Sequence, residues 1–349
     1  MKEIGVVEGF FGPEWPEAAR RDYAPFLQKA GGAFYIYAPK RDAHLRKAWR
    51  EDWDSEFTDF LKFLVQHFQA HGIKFGVALS PFGIGTQVSQ ADRDLLSQKI
   101  ALLSGLKVDV LGLFFDDMPV NEALSATQVE MLKLARSEFR GKIIFCPSFY
   151  TPDPILDKVF GQRPERYLEE VAAGISQTVS IAWTGPKVIS EIIPSSHLIE
   201  VKKVLQRKPF LWENLYANDG PKNCHFLKIK PFTGRDHDFL DQVDGIGLNM
   251  MNQPYLSQAL FLSSKLVMVD GMDPISALEK SLQELFPPVL SEIIMENQKA
   301  FLLEGDVKMT EDLKASLKQK LSQVSHPAAK EIINWLNGLY LVGPECLTD

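Results

Sequence analysis

Short apolar runs, rich in β-branched and aromatic residues, recur along the chain at roughly 30–40-residue intervals, the spacing of strand–helix units. They read EIGVVEGF from residue 3, AFYIYAPK from 33, IKFGVALSP from 73 and VDVLGLFFDD from 108. The series continues with KIIFCPSFY from 142, TVSIAWTG from 178, PFLWENLYAND from 209 and GIGLNMMN from 245. Each has the length of a strand covered on both faces, as parallel strands are. The segments between them carry a helical period. In residues 54–72, Phe57, Phe60, Leu61, Leu64, Val65 and Phe68 fall on one face, and Gly72 stands where a C-terminal cap belongs. Residues 126–139 repeat the pattern with Val129, Leu132 and Leu134.

Strands alternating with helices predict an α/β fold, and eight units of nearly equal length favour closure into a (β/α)8 TIM barrel over an open, doubly wound sheet. No glycine fingerprint for a dinucleotide or phosphate supports the open sheet. Beyond about residue 256 the alternation stops. GMDPISALEKSLQELF has a helix N-cap at Asp273, proline in the first turn at Pro274, and Ile275, Leu278, Leu282 and Leu285 on one face. PVLSEIIMENQKAFLL, TEDLKASLKQKL and AAKEIINWLNGLYLV read as further helices. The chain therefore divides into a barrel, residues 1–272, and a small C-terminal helical segment, residues 273–349.

Composition narrows the function classes. With 45% hydrophobic and 24% charged residues the chain is globular, which excludes wholesale disorder, collagen and a coiled-coil rod. A net charge of -7 with no basic stripe argues against a nucleic-acid partner. The three cysteines, Cys146, Cys224 and Cys346, are widely spaced and form neither a disulfide framework nor a zinc ribbon, which suits a reducing interior. No apolar run reaches the roughly 18 residues of a membrane span, so no membrane partner is expected. The N-terminus lacks the long apolar region of a signal peptide. The expected location is cytoplasmic, or secreted if a signal has been removed.

In a TIM barrel the chemistry lies at the carboxyl ends of the strands. The polar residues collect there: Glu8 and Gly9, Tyr37 and Lys40, Asp116 and Asp117, Tyr150, Trp183 and Thr184, Trp212, Glu213 and Asn214, Asn218 and Asp219, and Asn249. Carboxylates and amides match sugar hydroxyls, and aromatic rings match pyranose faces. The sharpest feature is the Asp116-Asp117 pair after a wholly apolar strand. Such a pair also suits a turn or a helix N-cap. At close range, however, ionising both is unfavourable, so one pKa should rise, as glycosidic-bond cleavage requires. Adjacent residues on an extended strand point to opposite sides, so both can reach one pocket only where the strand ends and twists. That geometry disfavours a direct nucleophile opposite an acid, which needs carboxyls about 5–5.5 Å apart on opposed faces. It suits one aspartate protonating the leaving oxygen while the other holds a nucleophile supplied by the substrate, such as a 2-acetamido group.

Competing chemistries find less support. None of the seven histidines falls on a strand end, and His67 and His71 lack the glutamate of a zinc-protease helix, so no metal is expected. Lys40 has no apolar or cationic neighbour that marks a Schiff-base lysine. It suits a sugar hydroxyl or a salt bridge. Cys146, inside the fifth strand, suits a buried small hydrophobe, and Trp49, Trp53 and Trp335 suit packing. There is no G-x-S-x-G elbow.

GVVEGFFG (5–12), YIYAPK (35–40), FDD (115–117), FCPSFY (145–150), WTGPKV (183–188) and WENLYAND (212–219) resemble, in order, glycoside hydrolase family 84, the β-N-acetylglucosaminidases that include O-GlcNAcases and hyaluronidase-like bacterial enzymes. The resemblance covers residues 3–255. It implies retaining, substrate-assisted hydrolysis through an oxazoline, with no cofactor. Asp117 would be the general acid and then base, and Asp116 would orient and polarise the acetamido nitrogen. Tyr150 would bond the acetamido oxygen, Cys146 and Trp212 would line the acetyl pocket, and Asn214 would support the acetamido group. Asp219, Asn249, Lys40 and the Gly9 carbonyl would grip the sugar hydroxyls. Three positions depart from the family pattern: Glu213 replaces a usual aspartate, Tyr216 a common histidine, and Met250 a frequent proline. The implied partner is a terminal β-N-acetylglucosaminide, and the C-terminal helices offer a surface for a homodimer. A catalytically silent sugar-binding barrel, or a hexosaminidase of another substrate-assisted family, are the alternatives.

Overall fold

The computed structural model describes residues 2–348; Met1 and Asp349, the outer ends of the two expected divisions, lie outside the described residues. Eight strands form a closed, all-parallel barrel in sequence order. They are β1 (Glu3–Glu8), β2 (Phe34–Tyr37), β3 (Lys74–Leu79), β4 (Val110–Phe114), β5 (Lys142–Cys146), β6 (Val179–Trp183), β7 (Phe210–Glu213) and β8 (Gly245–Asn249). Closure is made by β1 against β8, with Glu3 opposite Gly245 and Val7 opposite Asn249. The strands are buried almost throughout, which is why they read as continuous apolar runs rather than alternating ones.

The surrounding helices are α1 (Glu17–Ala30), α2 (Ser55–Ala70), α3 (Gln90–Gly105), α4 (Leu124–Glu138), α5 (Pro154–Phe160), α6 (Tyr167–Gly174), α7 (Ser195–Leu205), α8 (Phe239–Gln242) and α9 (Pro254–Asp270). Gly72, at φ 71°, ends α2: its N–H reaches the Gln69 carbonyl at 2.9 Å, and Ile73 N–H reaches Phe68 at 3.0 Å. These two bonds satisfy carbonyls that the helix leaves open. α4 begins two residues before the expected point and buries Leu124, Gln128, Met131, Leu132 and Ala135, with Val129 and Leu134 at the margins of that face.

After the barrel come α10 (Pro274–Leu285), α11 (Pro288–Glu296), a π-helical turn at Ala300–Glu304, then α12 (Gly305–Lys308), α13 (Glu311–Ser322) and α14 (Pro327–Leu336). Asp273 caps α10 by accepting the Ser276 N–H at 3.0 Å. The expected apolar face of α10 needs correction at Ile275, which is 59% exposed. The packing stripe is rotated onto Ala277, Leu278, Ser281 and Leu282, because the small residues let α10 approach α9 closely. The last expected helix also ends early, at Leu336. Gly338 adopts φ 76°, and residues 339–348 leave the helix axis and return to the barrel mouth. There Val342 and Cys346 pack with Phe11 and Cys224.

Glu331 joins α14 to the barrel. Its carboxyl accepts the N–H groups of Tyr255 and Leu256, each at 2.9 Å, at the open N-terminus of α9. Burial pushes this carboxyl up to about 8, against 4.5 for an ordinary glutamate. The folded chain therefore keeps a proton that the unfolded chain releases, and stability falls as pH rises from about 4.5 to about 8. Urea unfolding across that window should show this decline, and Glu331→Gln should flatten it. Glu331→Ala, which leaves two buried N–H groups without a carboxyl, should cost about 2 kcal/mol at the acid end of the window and progressively less as pH rises, because the variant lacks the decline.

Candidate active site

Side-chain alternation at the strand ends sorts the polar residues into two sets. At the end of β1, Glu8 turns outward and is fully buried beneath α1, where Arg20 holds it at 2.6 and 2.9 Å and Tyr35 donates to it. Gly9 turns to the mouth. At the end of β7, Trp212 and Asn214 face the mouth while Glu213 turns outward to a buried ion pair with Arg235 at 2.6 Å. Tyr37 likewise bonds Asp42, Asn218 bonds Gln253, and Trp183 donates to His197, so these strand-end residues support the loops. Tyr216, where the family often has histidine, is buried against Ser264 of α9.

The remaining strand-end residues converge. One cavity of about 550 Å³ at the barrel mouth is lined by Gly9, Lys40, Asp116, Asp117, Cys146, Tyr150, Trp212, Asn214, Asp219 and Asn249. These are the ten residues that the sequence singled out. Gly9 is required by close approach: a Cβ there would lie 2.5 Å from Cζ2 of Trp212. The Trp212 ring therefore closes against β1, edge-on to Phe114 at 4.9 Å, with Lys40 Nζ 5.9 Å from its centre.

β4 delivers both aspartates. Asp116 is buried and forms an ion pair with Lys40 through Oδ2. Its second oxygen, Oδ1, is buried with no hydrogen-bond partner. Asp117 adopts φ 57°, the left-handed region that L-residues rarely occupy. This turn brings its carboxyl into the cavity beside Asp116, as two adjacent residues on an extended strand could not be. Tyr150 donates to Asp117 Oδ1 at 3.1 Å, and Arg46 donates to the Asp117 carbonyl at 2.9 Å. Burial raises the Asp117 pKa above the ordinary carboxylate range, and the neighbouring Asp116 raises it further, against the opposing pull of Lys40, Arg46 and Tyr150.

The far wall is an amide relay. Asn249 receives the Gly9 N–H at 3.3 Å and donates to Asn214 at 2.9 Å, and Asn214 donates to the Val188 carbonyl at 2.8 Å. Asp219 accepts the Phe11 N–H at 2.8 Å. Cys146 ends β5, and burial pushes its thiol well above the ordinary range, which keeps it protonated and apolar in character. Away from this mouth, His67 Nε2 lies 2.8 Å from the Arg21 carbonyl and His71 Nδ1 2.9 Å from the His67 carbonyl.

Sequence reasoning missed several lining or supporting residues. Arg46 directly follows a 3-10 turn, Ala43–Leu45, after β2, with no motif to mark it. Val188 and Ile189 line the cavity from the loop after β6, which Arg235 secures by donating to the carbonyls of Ser190 and Glu191 at 2.8 Å. Cys346 and Thr348 reach the cavity from the C-terminal segment. Of these, only Val188 fell within a recognised motif.

The comparisons with known proteins agree with this geometry. A family model described as beta-N-acetylglucosaminidase matches residues 4–300. Proteins named Protein O-GlcNAcase from Rattus norvegicus and Mus musculus are each 30% identical over 256 residues, covering 70% of this chain and 27% of theirs. The chain thus spans about a quarter of the length of these curated relatives. A solved structure of a variant O-GlcNAc hydrolase from Thermobaculum terrenum aligns with a TM-score of 0.78 at 27% identity, over 96% of this chain and 80% of that one. The (β/α)8 barrel, its ordered strand-end motifs and a family match over most of its length together place this chain in the beta-N-acetylglucosaminidase family.

Proposed function

We propose that this chain hydrolyses terminal β-linked N-acetylglucosaminides with retention, using the substrate's own acetamido group as nucleophile. The observation that carries the reading is the state of Asp116. One of its oxygens is held by Lys40, and the other is buried, unpartnered and beside a carboxyl whose pKa is raised. An acetamido N–H donating to that oxygen would satisfy it, and buried acceptors without donors are costly.

The steps follow from the placement of the groups. Asp117, protonated, gives its proton to the glycosidic oxygen as the C1–O bond breaks. The acetamido carbonyl oxygen attacks C1 from the opposite face, while Asp116 holds the N–H and stabilises the positive charge that develops on the nitrogen. The products of this step are a free alcohol and an oxazoline, whose nitrogen passes its proton to Asp116 and takes it back when the ring opens. Asp117, now a carboxylate, takes a proton from water as the water oxygen bonds to C1 and the oxazoline ring opens. Two inversions at C1 give net retention. Tyr150, bonded to Asp117 and lining the same cavity, is placed to steady either the acid or the attacking acetamido oxygen. Cys146 and Trp212 give the acetyl methyl an apolar seat. Asn249, Asp219 and the Gly9 backbone supply hydroxyl partners at the other end.

The chemistry is directly testable. In Asp117→Asn, kcat/KM should fall by about 10²–10⁴ for alkyl glycosides and much less for a 4-nitrophenyl glycoside, whose leaving group needs little protonation. In the unaltered protein, kcat/KM should be lost as pH rises through the raised Asp117 pKa, so the descending limb lies above the ordinary carboxylate range. A descending limb that persists in Asp117→Asn would belong to another group. Asp116→Asn should lower turnover about 10²–10³-fold for good and poor leaving groups alike. Full activity in that variant, or failure of an N-acetylglucosamine-derived thiazoline to inhibit competitively, would rule out acetamido participation.

A further inference from the structure

A second groove, of about 1290 Å³, opens beside the Asp117 end of the sugar cavity. Its cationic residues, Lys40, Arg41, Arg46 and Lys47, all come from the segment after β2, and Glu345 of the C-terminal segment adds a carboxylate at its rim. Its larger apolar residues come from other loops and include Phe82, Pro119 and Phe160. Asp117 lies at its edge and belongs to both spaces, which puts the groove on the side where a leaving group would depart.

Arg46 makes this more than a cationic lip. It is only 6% exposed, and its guanidinium lies between the rings of Phe11 and Phe82, 5.6 and 5.4 Å from their centres. Nη2 is committed to the Asp117 carbonyl, whereas Nη1 is buried with no hydrogen-bond partner. A guanidinium has five donors in a fixed fork and seeks acceptors for them. Arg41 and Lys47 are exposed and pair with no carboxylate among the described residues. In a chain with a net charge of -7, Arg41, Arg46 and Lys47 fall within seven positions beside the acid–base residue; with Lys40 spent on Asp116, these three still outnumber the groove's one outlying carboxylate, Glu345, and invert the local sign. The groove residues include no Asn, Gln, Ser or Thr among the described residues, so the groove lacks the amides and hydroxyls that line the sugar cavity.

We propose that this groove is the leaving-group subsite and that it takes an acidic peptide, a segment carrying the glycosylated hydroxyl with Asp or Glu close by. The assignment rests on the hydrolase reading above. Apolar side chains of the peptide meet the phenyl and proline surfaces, its acidic side chains meet Arg41 and Lys47, and a peptide carbonyl or carboxylate meets Arg46 Nη1.

The test compares three glycopeptides of one length, with β-linked N-acetylglucosamine on a central serine flanked by Glu, Gln or Lys, alongside an aryl β-N-acetylglucosaminide. kcat/KM should fall in the order Glu, Gln, Lys, by about tenfold between the extremes, chiefly through KM and less so at high salt. In the Arg41→Gln/Lys47→Gln double variant, the Glu-to-Lys ratio should approach one. Equal cleavage of the three peptides, or a ratio unchanged in the double variant, overturns the proposal. Faster cleavage of N-acetylglucosamine β-linked to a uronate sugar than of the Glu peptide reassigns the groove to an anionic glycan and overturns the peptide. If even the aryl glycoside is not cleaved, the hydrolase reading fails instead. The groove is then decided by titrating unglycosylated Glu and Lys peptides against the protein: salt-sensitive binding of the Glu peptide alone supports it, and no binding overturns it.

Discussion

Lys40 reaches from the end of β2 to Asp116 at the end of β4, and both side chains are more than nine-tenths buried. Removing either partner would leave an uncompensated charge in a closed space, which is far costlier than the pair itself. The rest of the mouth is arranged around this contact. Lys40 fixes one Asp116 oxygen and so aims the other, and the ring of Trp212 stands over the lysine. The flat approach of that ring is permitted by the missing Cβ at Gly9. The Asp117 carboxyl, next along the chain, then sits in the field of a fixed neighbour rather than a mobile one. A cation bonded to Asp116 and none bonded to the Asp117 carboxyl fits the division of roles we propose for the pair.

Outside the mouth, two other buried ion pairs connect helices and loops to the strand ends. Glu8 with Arg20 ties α1 to β1, and Glu213 with Arg235 ties two loops to β7. Both carboxylates are immediate chain neighbours of cavity residues, Gly9 and Asn214. Alternation sends them to the opposite side of the strand, so the pairs hold the strand ends from behind without entering the cavity. Pairs of this kind contribute more to a fixed geometry than to net stability.

Much of this was legible in the sequence because both fold and site depend on local pattern. Strands covered on both faces produce unbroken apolar runs, and their regular spacing gives the barrel; the barrel then predicts where the chemistry sits. The Asp116-Asp117 step even announced that the backbone must twist, and it does so at Asp117. What was not legible depends on contacts between segments far apart. Arg46 draws its meaning from Phe11, Phe82 and the Asp117 carbonyl, none of which is its neighbour in sequence. The arrival of Cys346 and Thr348 at the cavity depends on the chain leaving its helix near Gly338, whereas the apolar residues at 339–342 suggested that the helix continued. Ile275 was misplaced because helical period gives a face only to within a rotation, and the small residues Ala277 and Ser281 settled which rotation α9 accepts. Glu8 and Glu213 looked like site residues because composition at a strand end does not separate its two sides.

The left-handed backbone at Asp117 carries a further consequence. A non-glycine residue held in that region costs the fold on the order of 1 kcal/mol, a penalty that glycine escapes and asparagine reduces. The position therefore sets thermal robustness against chemistry. Selection for heat resistance alone would favour Asp117→Gly or Asp117→Asn, and each would relieve the backbone at the residue to which we assign the acid–base role.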